Sequence, residues 1–129
     1  EVHERFSGQD VIDLRAQHEG AVILAHPECP PEVLAEADYD GSTAQMDNYI
    51  KTHQPAKAIL MTECSMSDNI AASNPNVEMI GTCQMCPHMK RISLPKILKC
   101  LQDEQPEIQV DPSIAERARQ AVERMLELS

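Results

Sequence analysis

Aromatic side chains are almost missing from this chain: Phe6, Tyr39 and Tyr49 are all it has, and tryptophan is absent. A core has to be assembled from Ile, Leu, Val, Ala and the seven Met. Positive charge is scarce as well. Eleven Lys and Arg against 21 Asp and Glu leave a formal net charge of −10. That balance argues against nucleic acid, whose phosphates need a basic face, and against an anionic membrane surface. No apolar run approaches the ~20 residues that span a bilayer, and no secretory signal is legible. Five cysteines are an odd number, spaced unlike a disulfide scaffold. They are expected as thiols or metal ligands in a reducing compartment, the cytoplasm (or the plastid stroma of a plastid-bearing organism). The start, Glu1-Val2-His3, reads as the interior of a longer protein.

At 129 residues the length suits one domain. Apolar runs and amphipathic stretches alternate along it. A helix is predicted from Ser7 to Ala16, capped by Ser7. Ala21-Val22-Ile23-Leu24-Ala25 is a continuous apolar run, the mark of a strand buried on both faces of a parallel sheet. A short helix from Glu32 to Ala37 follows, opened by prolines. Asp38 to Gly41 is a weak strand or turn, and Ser42 or Thr43 caps a helix through Thr52. The pattern repeats with a strand at Ala58–Met61, a helix at Ser67–Ala72 and a strand at Val77–Ile80. A helix at Leu94–Leu101, a last short strand at Ile108 and Val110, and an amphipathic helix over 111–129 complete the reading. Strand, loop, helix, repeated, predicts a three-layer α/β/α fold with a mostly parallel sheet, Rossmann-like in its repeat, over residues 1–129.

In such folds ligands bind beyond the carboxyl ends of the strands. His26, Glu28, Ser42, Thr43, Glu63 and the cysteine loop all fall in segments that follow strands, so they are expected on one edge. Each has a plainer reading. His26 and Glu28 suit a strand end near a helix start. Ser42 and Thr43 suit an N-cap, although Gly41-Ser42-Thr43 at a helix start is also a ready anion site. Ser65 or Ser67 suits a cap, Cys29 and Cys64 suit packing, and Cys100, among Ile97, Leu98 and Leu101, suits a core. The stripe Ile114, Ala118, Ala121, Val122, Met125 and Leu128 suits packing or an interdomain contact.

Cys83-Gln84-Met85-Cys86-Pro87 is the sharpest local pattern. Proline after the second cysteine has no N–H to continue a ladder, so the chain turns there. The same pattern closes many iron–sulfur ligand runs. One Cys-x-x-Cys is half of a four-thiolate site. Incidental thiols, a redox pair and a metal site all remain open.

Six segments in order decide more. Glu1-Val2-His3-Glu4-Arg5-Phe6, Ala25-His26-Pro27-Glu28-Cys29, Asp40-Gly41-Ser42-Thr43, Met61-Thr62-Glu63-Cys64, Cys86-Pro87-His88-Met89-Lys90 and Val110-Asp111-Pro112-Ser113-Ile114-Ala115-Glu116-Arg117-Ala118 resemble the C-terminal part of the quinolinate synthase family. The resemblance covers nearly the whole chain. It implies a transferase that condenses iminoaspartate with dihydroxyacetone phosphate to quinolinate, a precursor of NAD. It also implies a [4Fe–4S] cluster held by cysteines from three similar α/β domains, with one iron open as a Lewis acid. Carried over residue by residue, it makes Cys86 the third domain's cluster ligand and leaves Cys83 out. It puts His3, His26, Glu28, Ser42 and Thr43 in the active site, with His3, His26 and Glu28 catalytic. The remaining ligands would lie elsewhere in the same polypeptide, so residues 1–129 alone are expected neither to hold a stable cluster nor to turn over. Two other readings compete: a stand-alone domain binding a small phosphorylated or dicarboxylic ligand without a cluster, and a small metal or redox protein built on Cys83 and Cys86.

Overall fold

Four short parallel strands organise the chain: β1 (Val22–Ala25), β2 (Tyr39–Asp40), β3 (Lys57–Met61) and β4 (Glu78–Ile80). They lie in the order β2-β1-β3-β4, every pair parallel. The computed structural model describes residues 1–82 and 84–128, so Cys83 of the Cys-x-x-Cys pair lies outside the described residues. The helices are α1 (Gly8–Gln17), α2 (Pro31–Glu36), α3 (Thr43–His53), α4 (Cys64–Ser73), α5 (Leu94–Asp103) and α6 (Pro112–Leu128). The chain divides into two compact units, residues 1–91 and the part from Ile92 onward.

Alternation along the strands explains why β1 and β3 read as continuous apolar runs. Ile23, Ala25, Ile59 and Met61 belong to one core cluster with Val11 of α1 and Val33 of α2. Leu24, Ala58 and Leu60 belong to the other, with Met46 and Ile50 of α3 and Ile70 of α4. Successive side chains point to opposite faces, and helices cover both. This is the expected three-layer α/β/α arrangement. Full burial of each large aliphatic side chain stabilises the fold by about 1.5–3 kcal/mol, and Ile23, Leu24, Ile59 and Leu60 are all buried.

Local chemistry sets the helix starts. The Ser7 hydroxyl accepts the Asp10 N–H while the Asp10 carboxylate accepts the Ser7 N–H, a reciprocal cap on α1. Ser42 and Gln45 repeat the device on α3. α4 starts at Cys64, three residues ahead of the predicted Ser67, because the Glu63 carboxylate and not a serine caps it. Ahead of α1, a 3-10 turn at His3–Arg5 is flanked by Val2 and Phe6, both buried in the first core cluster.

Two expectations for the second unit need correction. Ile108 and Val110 form no strand; they are exposed in an irregular stretch bracketed by Pro106 and Pro112, too short to build a ladder. Cys100 is exposed and not core, as are Ile97, Leu98 and Leu101 around it. Two helices without a sheet bury too little surface to enclose a core. Among the described residues, no helix is long and apolar enough to cross a membrane.

Candidate functional site

The strand order reverses between β1 and β3: β2 lies outside β1, and the chain then crosses back to place β3 on the other side. Loops diverge at such a point and leave a crevice at the carboxyl ends of the strands. A cavity of about 410 Å³ opens there, lined by His3, His26, Glu28, Thr43, Glu63 and Cys86 among others. His26 follows β1 directly, Thr62 and Glu63 follow β3, and Thr43 is the first residue of α3.

The histidines are stacked, with His3 and His26 ring centroids 4.4 Å apart and planes within 8°. His3 Nδ1 lies 3.0 Å from Glu28 Oε2, and its Nε2 lies 3.0 Å from the Thr62 hydroxyl. An ionised carboxylate only accepts hydrogen bonds, so His3 Nδ1 carries the proton; in the neutral ring Nε2 then accepts from Thr62. His26 Nδ1 accepts the Glu28 N–H at 3.3 Å, which puts the proton of neutral His26 on Nε2. Burial lowers the His26 pKa and the neighbouring His3 lowers it further, while Glu28 partly opposes them. Ligating atoms of His3, His26 and Glu28 all lie within 4.8 Å of one another. Three groups able to give or take a proton thus converge on one small volume. Glu28 remains largely exposed and open to a ligand.

Glu63 also lines the cavity. One of its oxygens accepts the Ser65 N–H at 2.8 Å; the other lies 3.4 Å from the Cys86 nitrogen and 3.4 Å from Lys90 Nζ. Burial pushes its carboxyl pKa up, but the hydrogen bonds from Ser65, Cys86 and Lys90 together outweigh burial and leave it lowered. Cys86 is half-buried, with its residue against the first core cluster and on the cavity.

The residues singled out in the sequence do not all arrive in the same way. His3, His26, Glu28, Thr43 and Cys86 line one cavity. Ser42 is not among the lining residues, and its hydroxyl is engaged in capping α3. Cys29 is buried, its Sγ donating to the Met61 carbonyl at 3.3 Å, and burial pushes its thiol pKa up. Cys64 is half-buried at the first turn of α4. Thr62 and Lys90 were not singled out as site residues, and Ser65 was weighed only as a cap. Thr62 and Ser65 had a signal in their place just after β3, whereas nothing local distinguishes Lys90 from a solvated lysine.

Comparison with known proteins adds an independent line. The family model described as Quinolinate synthetase A protein matches residues 1–127. Quinolinate synthase 1 of Mesorhizobium japonicum is 56% identical over 126 residues, covering 98% of this chain and 39% of the relative. Quinolinate synthase of Xylella fastidiosa is also 56% identical, with 98% and 37% covered. That of Agrobacterium fabrum is 54% identical over 128 residues, with 99% and 37% covered. The chain therefore spans less than two-fifths of the length of these relatives.

Proposed function

The chain belongs to the quinolinate synthase family, and on that footing we propose that residues 1–91 form one wall of an active site that condenses iminoaspartate with dihydroxyacetone phosphate to quinolinate, in the de novo formation of NAD. The observation that carries the reading is the convergence of His3, His26 and Glu28 in the same cavity as Cys86. Imine formation, carbonyl rearrangement and loss of water all require protons to be moved at bound carbon and oxygen atoms. Glu28, with one oxygen on His3 and most of its surface free, suits the general base. His3, donating Nδ1–H to Glu28, orients that carboxylate, with Thr62 fixing its ring. His26, kept neutral, presents Nε2–H as a donor to a substrate oxygen. Thr43, at the start of α3, supplies a hydroxyl and a helix N-terminus to a carboxylate or phosphate. Ser42, engaged in its cap, would act only through the helix it starts.

A [4Fe–4S] cluster fits this chain in part. Four thiolates are the usual complement, and Cys86 is the only described cysteine on the cavity. Cys86 would be one ligand, and the others would come from the rest of the intact protein. When bound, the cluster would supply a Lewis-acidic iron for a carboxylate or hydroxyl of the substrate. The formal net charge of −10 argues against nucleic acid as a partner.

Glu28→Gln and Cys86→Ser in the intact protein separate these roles. Glutamine keeps the size of glutamate but cannot shuttle a proton, so quinolinate formation should fall ~10²–10⁴-fold with iron content unchanged. Cys86→Ser should lose iron and activity together, because a hydroxyl is a poor replacement for a thiolate. Normal turnover by Glu28→Gln would remove Glu28 from the proton chemistry. Full iron content in Cys86→Ser would remove Cys86 from the ligand set.

A further inference from the structure

Glu63 is an unusual residue to find capping a helix. Ser, Thr, Asp and Asn are the preferred N-caps, and any of them could receive the single Ser65 N–H bond. The extra reach of glutamate is used elsewhere. Its second oxygen faces both the Cys86 N–H and Lys90 Nζ. Lys90 Nζ also donates to the Ser65 hydroxyl at 2.6 Å, and the Lys90 N–H returns to the Cys86 carbonyl at 3.2 Å. Upstream, Glu63 pairs with Gln84 in an isolated parallel bridge, and the Cys64 N–H donates to the Gln84 carbonyl at 3.2 Å. The Cys86 N–H and the Lys90 side chain are thus tied to one buried carboxylate at the end of β3, and Gln84 upstream is tied to the backbone of Glu63 and Cys64.

We propose that Glu63 is a positioning residue for Cys86: by holding the Cys86 N–H, the Ser65 N–H and the Lys90 ammonium at once, it fixes the loop that presents the thiol to the cavity. The proposal rests on Cys86 being the thiolate this chain contributes to the cluster. It adds a residue that acts through the loop, setting where that thiolate stands.

The test uses the intact protein, freed of iron under anaerobic conditions, with iodoacetamide as the probe and the labelled peptides read by mass spectrometry. Glu63→Ala should speed alkylation of Cys86 about tenfold, the scale of one lost charged hydrogen bond. Cys29, buried in the same unit, is the internal control and should stay slow. Glu63→Gln should fall between the wild type and Glu63→Ala, since its carbonyl oxygen still accepts one N–H but cannot pair with Lys90. Lys90→Met, at a half-exposed position that does not threaten folding, should shift Cys86 in the same direction by less. After reconstitution, Glu63→Ala should bind less iron than the wild type. Unchanged Cys86 reactivity in both Glu63→Ala and Lys90→Met would overturn the proposal. So would Cys86 and Cys29 becoming reactive together, which would reduce Glu63 to support of the fold. Iron retained by Cys86→Ser would instead sink the ligand assignment, and the alkylation rates would still decide what Glu63 does.

Discussion

Residues 1–91 and the part from Ile92 onward are written in the same amphipathic idiom but bury very different amounts of it. In the first, parallel strands place alternate side chains on two faces, and each face meets two helices. In the second, α5 and α6 carry apolar stripes at helical spacing, and neither contains a buried residue. Periodicity states which face of a helix is apolar. It does not state that a partner surface exists within the same unit. A central strand supplies that surface twice over, and a pair of helices in so short a segment does not.

Leu60 and Leu101 make the contrast measurable. Leu60 is 0% exposed and Leu101 is 73% exposed. Leu60→Ala should destabilise the sheet by about 2–5 kcal/mol through lost burial and the cavity left behind. Hydrogen exchange of β1 and β3 amides in the intact protein reads this directly, and a change below about 1 kcal/mol would contradict the two-sided core.

A smaller effect should appear with pH. The folded-state pKa of His26 lies below its ordinary value of 6.5. The unfolded chain therefore binds the proton first as pH falls. Stability is held above pH 6.5 and declines from there toward the lower folded value, with no further loss beneath it. Imidazole NMR should place the His26 midpoint under 6.5; a midpoint at or above that would mean that the stack with His3 does not disfavour the charged ring. At the small end, Leu101→Ser should change exchange in β1 and β3 by no more than about 0.5 kcal/mol, as surface substitutions do. A large effect there would break the contrast between the two units.

Much of the sheet was legible because Val22–Ala25 and Ala58–Met61 are apolar on both faces, which few structures other than a buried strand require. The Ile108/Val110 alternation was too brief to carry the same inference. The start of α4 was misjudged because capping was sought among serines, while the actual acceptor is a carboxylate whose role depends on a loop 23 residues away. His26 and Glu28 could be located from their place after β1. His3 entered only through the family resemblance, because a lone histidine in a charged segment has no local signature. Its contacts to Glu28 and Thr62 span 25 and 59 positions of sequence, and pairings at such range are set by topology alone.

The short turn that bears His3 is pinned at both ends, by Val2 on one side and Phe6 on the other. Mechanically this is a bracket with two bolts. A segment fastened at one point would swing, and an imidazole at its tip would wander by more than the length of a hydrogen bond; fastened at two, it can only flex. The single phenylalanine of the chain thus governs the aim of a ring in the cavity that it does not itself line. Trimming Phe6 would blur the register between His3, Glu28 and Thr62 long before it emptied the core.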